Sequence, residues 1–165
     1  MIEVVPYDPE WPGLFEAERA RLEELLAPWL AGGIHHIGST AIPGVAAKPL
    51  IDMMAGVASF EESRAAHEPL LAAGWESTPH RPNIAHHFSK PGFGVHLTEP
   101  GGDLWRERLA FRDALRADPE LAREYEALKL RLAREHPDDR ETYTNGKREF
   151  VGHVLAGSGL TFGRR

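Results

Sequence analysis

IHHIGSTAIPGVAAKPLIDMMAGV, residues 34–57, reads as two short apolar segments joined by a loop of small and polar residues. Ile34 to Ile37 form the first expected strand and residues 50–57 the second. Between them Gly38-Ser39-Thr40, Pro43-Gly44 and Lys48-Pro49 break any regular structure. Gly38 has no side chain, so a ligand can approach its backbone. Ser39 and Thr40 add hydroxyls and consecutive amide donors, a pattern that can cradle a phosphate. Lys48 supplies a point charge beside that loop. Asp52, a lone acid inside an apolar strand, lies within reach of a divalent cation held against such a phosphate. A plain strand-turn-strand unit, with a solvated Lys and a hydrogen-bonded Asp, is the competing reading.

The chain of 165 residues suits one domain, expected over residues 1–157, with 158–165 as a flexible Gly-rich basic tail. It has no cysteine, so neither disulfides nor a thiolate metal site can form. No apolar run approaches the ~20 residues needed to span a bilayer. The first residues, MIEVVPYDPEW, lack the basic and apolar regions of a signal peptide, so a cytoplasmic location is expected. A net charge of −6 disfavours broad nucleic-acid binding but leaves room for a local basic pocket that takes a small anionic ligand.

Ile2 to Tyr7 read as a short apolar arm. Asp8-Pro9-Glu10 signals a helix start, and the stripe Trp11, Phe15, Leu22, Leu25, Leu26 and Trp29, interrupted by Glu18-Arg19, predicts an amphipathic helix closed by Gly32-Gly33. Ser59-Phe60-Glu61-Glu62 has the form of a capping box that opens a helix, with Pro69 expected to kink or split it. Residues 75–78 form a short strand, and residues 85–90 and 93–98 a hairpin around Pro91-Gly92. Three helices are expected in the last third, with boundaries at Asp118-Pro119 and His136-Pro137. The fold class is therefore α/β (α+β): a mixed sheet flanked by helices, with a helical C-terminal third.

HHIGSTAIPGVAAKPLIDM resembles the signature of the GrpB-like proteins, and VHLTEPGGDLW, LAFRDALRADPELAREYEALKLRLA and YTNGKREFV continue the likeness in the same order. The resemblance implies a nucleotidyltransferase-like fold, in a family in which this domain is also found fused to dephospho-CoA kinase. It implies a nucleotide or phosphorylated small molecule as ligand and metal-assisted nucleotidyl transfer as the reaction class, with catalytic roles for Asp52, His96 and Ser39. Gly38-Ser39 match the superfamily's turn and Asp52 its first acid. Met54 stands where the second acid belongs; tight Mg²⁺ binding without nucleotide would point to another carboxylate, with Glu99 the first to examine. Two-Mg²⁺ chemistry needs an acid pair. With Asp52 alone, Mg²⁺ would need substrate phosphates to complete its shell. Of the two histidines similar proteins carry on the later strand, His96 matches the second, and Gly94 stands at the first.

Phosphate binding is expected at Gly38, Ser39, Thr40 and Lys48, with Arg112, Lys129 and Lys147 reaching in from the helical side or pairing with nearby acids. His36 and His96 converge on Asp52 if their strands are neighbours and their side chains share a face; that set would suit a transition metal. Of His86 and His87, at most one can join it. His35, His67, His80, His136 and His153 are read as surface residues. Three functions compete: a metal-assisted nucleotidyltransferase, a non-catalytic phosphate-binding module, and a His/Asp metal protein.

Overall fold

A computed structural model describes residues 1–160. Five strands form one mixed sheet: β1 (Leu30–Ile37), β2 (Ile51–Val57), β3 (Glu76–Ser77), β4 (Ala85–Lys90) and β5 (Phe93–Thr98). Their order is β1-β2-β5-β4-β3, with β2 parallel to β5 and every other pair antiparallel. The 34–57 unit is thus a pair of adjacent strands, with the Phe93 strand beside it. Helix α1 (Trp11–Leu26) and the short α2 (His67–Ala72) cover one face. There Trp11, Phe15, Leu22 and Leu70 pack on Met53, Ala55, Val95 and Phe88. Helix α3 (Asp103–Ala117) covers the other face, where Leu104, Trp105 and Leu109 meet Ile37, Met54 and Ala85. Helices α4 (Pro119–Glu135), α5 (Arg140–Gly146) and α6 (Arg148–Gly157) complete the molecule.

Several boundaries differ from expectation for identifiable reasons. Gly32-Gly33 does not close α1 but lies inside β1, which begins at Leu30. A Cβ at Gly32 would stand 2.7 Å from Pro100, and Gly33 at φ 74° accompanies a register irregularity between Leu30 and Ile34. The pair therefore serves close packing and a bend in the strand. Glu18 does not interrupt the apolar face of α1. It is buried and bonds Lys90 Nζ at 2.5 Å, while that ammonium also sits over the Trp75 ring. The Ser59 hydroxyl does accept from the Glu62 amide, but it opens a 3-10 turn, and α2 starts only at His67, with Pro69 in its first turn. Among the described residues the last third holds four helices, because the chain breaks at Lys147, between α5 and α6. The N-terminal arm joins through the Val5–Ala47 bridge and through Ile2, whose amide donates to the Pro137 carbonyl at 2.6 Å. Helix α6 ends at Gly157, and of the tail expected over 158–165, residues 161–165 lie outside the described residues.

Gly56 marks the tightest point between sheet and α3. A Cβ there would lie 2.9 Å from the Gly32 Cα and 3.0 Å from Trp105 and Pro100. Backbone cannot yield cheaply, so Gly56→Ala should lose about 1–3 kcal/mol by overpacking. Urea unfolding measures it, and a neutral result would mean that the β1–β2 pair shifts freely against α3.

Candidate functional site

The end of β1 and the start of β2 set the site. Ile37 pairs with Asp52, and Gly38, at φ 74°, turns the chain so closely that a Cβ there would stand 3.1 Å from the Asp52 Cβ. Only glycine combines that φ with that approach. Thr40 then ties the turn to both strands. Its hydroxyl donates to the Leu50 carbonyl at 2.9 Å, so the 2.8 Å contact with His36 Nε2 is an N–H donated to Thr40 Oγ1. Burial first, and then Arg116, push His36 down to about 4, which keeps it neutral in this role.

A cavity of about 290 Å³ opens between this turn and the helical third. Gly38, Ser39, Thr40, Lys48 and Asp52 line it from the sheet; Lys129, Tyr143 and Lys147 line it from the helices. Ser39 Oγ faces the Tyr125 hydroxyl at 3.5 Å. Among the described residues the wall also carries Arg81, Arg108 and Arg148, giving six Lys or Arg side chains against two carboxylates, Asp52 and Glu107. The Lys48 and Lys147 ammoniums lie 5.1 and 4.5 Å from the centre of the Tyr143 ring. Burial, followed by the charge of Lys48, lowers Lys147 to about 8, and burial lowers Lys48 as well. Lys129 is fully buried, donates to the Ala46 carbonyl at 2.5 Å, and is lowered to about 7 by burial and then by Lys147. Its amine thus holds the loop as well as facing the cavity.

Asp52 is the carboxylate at the sheet side, its side chain 20 % exposed. Burial alone would raise it. The neighbouring His96, followed by Arg108 and His87, outweighs burial and holds it below the usual carboxylate range. His96 is not on the cavity wall but behind Asp52, with Nε2 at 3.3 Å from Oδ1. His87 stands beside it, the two ring centres 4.3 Å apart. His80, expected at the surface, turns its ring towards both and lines the cavity.

Three expectations need correction. His36 does not converge on Asp52: it pairs with Met53, whose side chain lies on the opposite face from Asp52, and it stacks on Phe15 at 4.9 Å. The third member of the Asp52 cluster is His87, aligned with His96 on β4. Arg112 does not reach the cavity. It bonds Asp113 and donates to the His36 carbonyl at 3.3 Å, tying α3 to β1. Glu99 cannot serve as the second acid, because it follows the far end of β5 from Gly94, the partner of Asp52, and accepts from the Phe60 amide. Arg108, Arg148 and Glu107 went unread. Arg108 had a signal, since it stands four residues after Leu104 and three before Phe111, within the apolar stripe of α3.

The family model described as GrpB protein matches residues 1–156. The chain is 34% identical over 172 residues to "Glutamate-rich protein GrpB" of Alkalihalophilus pseudofirmus, covering 92% of each. It is 41% identical over 157 residues to "UPF0157 protein YqkA" of Bacillus subtilis, where it spans 91% of its own length but only 45% of that relative's. Among solved structures, that of the conserved protein GrpB from Enterococcus faecalis superposes with a TM-score of 0.84 at 28% identity, over 96% of this chain and all of that one. By sequence over nearly its whole length, and by a fold that agrees, this chain belongs to the GrpB family.

Proposed function

We propose that this protein binds a phosphorylated small molecule, a nucleotide foremost, in the cavity between the Gly38-Ser39 turn and the helical third. The observation that carries this reading is the charge of the wall. Six Lys or Arg side chains face two carboxylates there among the described residues, in a chain whose net charge is −6. Ammoniums crowded together away from water repel one another, and an anion relieves that repulsion. The volume lies near the lower end for small-molecule sites. Tyr143, Phe111 and Tyr125 add apolar surface beside the cations. The charge is confined to a cavity, which favours a small ligand over an extended nucleic acid, and a cysteine-free chain with such a ligand suits the cytoplasm.

The position of Asp52 beside a Gly-Ser turn also favours a second reading, nucleotidyl transfer. The two-Mg²⁺ centre this chemistry uses does not fit the residues present. Met54 is fully buried in apolar packing, and Glu107 is paired with Arg81. Asp52 is left as one carboxylate beside two imidazoles, a poor donor set for Mg²⁺. Binding of the phosphorylated ligand is therefore the function the geometry supports best.

Calorimetry with mononucleotides and CoA precursors tests it. An anion beside Lys147 favours its charged form and raises a group that stands at about 8 in the free protein. The complex then holds more protons than its separate parts, so binding at pH 8 should take up protons and the observed heat should change with the buffer's ionisation enthalpy. Affinity should fall as pH rises through about 8, where the free pocket loses the Lys147 proton. A panel without a binder, or a heat independent of buffer at pH 8, defeats the reading.

A further inference from the structure

We propose that Asp52, His87 and His96 form a binding site for a divalent transition metal of the zinc class, at the sheet side of the cavity and independent of any phosphorylated ligand. One ligand atom from each of the three lies within 4.8 Å of the other two. The Asp52 Oδ1 to His96 Nε2 separation of 3.3 Å is long for a charge-assisted hydrogen bond, which runs about 2.7–2.9 Å. It equals the edge of a tetrahedron whose metal–ligand bonds are about 2.0–2.1 Å.

His87 is prepared in the way a metal ligand needs. Its Nδ1 lies 2.7 Å from the Thr78 carbonyl, which can only accept, so Nδ1 carries the proton and Nε2 keeps a bare lone pair. The Thr78 hydroxyl, 2.8 Å from the same nitrogen, fixes the ring further. Gly94 leaves room for it. A Cβ at residue 94 would stand 3.3 Å from His87 Nε2 and 3.5 Å from Asp52 Oδ1, so the missing side chain opens the point where both donors are directed. His96 Nδ1 is buried without a hydrogen-bond partner among the described residues, so the polar contact of this ring is the one its Nε2 makes with Asp52. The ring is placed for what Nε2 meets.

Two imidazoles and one carboxylate suit zinc, cobalt, nickel or ferrous ions, whereas Mg²⁺ prefers an all-oxygen shell. Asp52 belongs to the cavity wall, so an ion on it would stand where a bound phosphate could supply a further ligand.

The test uses the full chain with metal alone. Co²⁺ is titrated while its visible d–d bands are followed, and Zn²⁺ is then used to displace it, in the presence of excess Mg²⁺ and with no phosphorylated compound. One equivalent should bind with low-coordinate bands, and His87→Ala, His96→Ala and Asp52→Asn should each weaken binding by at least about tenfold. His87→Gln preserves side-chain volume and repeats the measurement should an alanine variant fold poorly. His153→Ala, at an exposed histidine, should change nothing. Co²⁺ binding that survives His87→Gln, binding lost in His153→Ala, or displacement by Mg²⁺ overturns the proposal. None of these outcomes bears on whether the cavity takes a phosphorylated ligand.

Discussion

Glu107→Ala should lose about 3–5 kcal/mol of folding stability, the usual cost of leaving one partner of a buried ion pair alone. Arg81 Nη1 and Glu107 Oε2 are 2.7 Å apart, with side chains only 8 and 10 % exposed. Arg81 Nε has no hydrogen-bond partner among the described residues, so this guanidinium depends heavily on that carboxylate. It is held at φ 51°, a conformation L-residues seldom adopt, in the loop between β3 and β4. The pair fastens that loop to α3 at the cavity wall. A domain of ordinary stability holds about 5–15 kcal/mol in all, so the variant should be close to unfolding at 37 °C. Glu107→Gln, whose amide oxygen still accepts, should lose markedly less. Urea denaturation of the three proteins decides it: a loss below about 1 kcal/mol for the alanine variant would show that water reaches the pair.

Replacing both Lys48 and Lys147 by Met should weaken binding of the phosphorylated ligand by about 3–6 kcal/mol, roughly 10²–10⁴-fold, at about 1.5–3 kcal/mol for each charge-assisted bond. The same change should leave the free protein as stable as before, or more so. Each ammonium is held below its ordinary value, Lys147 partly by Lys48, and each stem already packs on the Tyr143 ring. Removing mutual repulsion while keeping the apolar stem favours the folded state. Opposite movement of affinity and melting temperature marks residues retained for a ligand rather than for the fold. If both fall together, the two lysines hold the structure, and the anion site is elsewhere on the wall. Lys129→Met is the contrast: it frees the Ala46 carbonyl that Lys129 now bonds, so stability should fall with it.

The sequence by itself determined the unit at the centre. Gly38-Ser39, Lys48 and Asp52 lie within fifteen residues of one another, and two apolar runs around a loop of breakers marked a strand-loop-strand unit there. The same local rules placed the Phe93 strand, the breaks at Asp118-Pro119 and His136-Pro137, and the limit that only one of His86 and His87 could join Asp52. Tertiary structure decided which histidines meet. Alternation fixes faces within one strand, but the face shared between strands depends on register. One residue of register sends His36 to Phe15 and leaves Asp52 to His96 and His87. It also decided the charge of the cavity. Arg81, Glu107, Arg108 and Arg148 come from a loop and two helices with no common spacing, and only packing of the helical third against the sheet brings them to one wall. Burial then separated the lysines by role, since Lys129 reaches a backbone carbonyl while Lys48 and Lys147 face the cavity across one tyrosine ring, a distinction set by surroundings that no pattern of residues along the chain records.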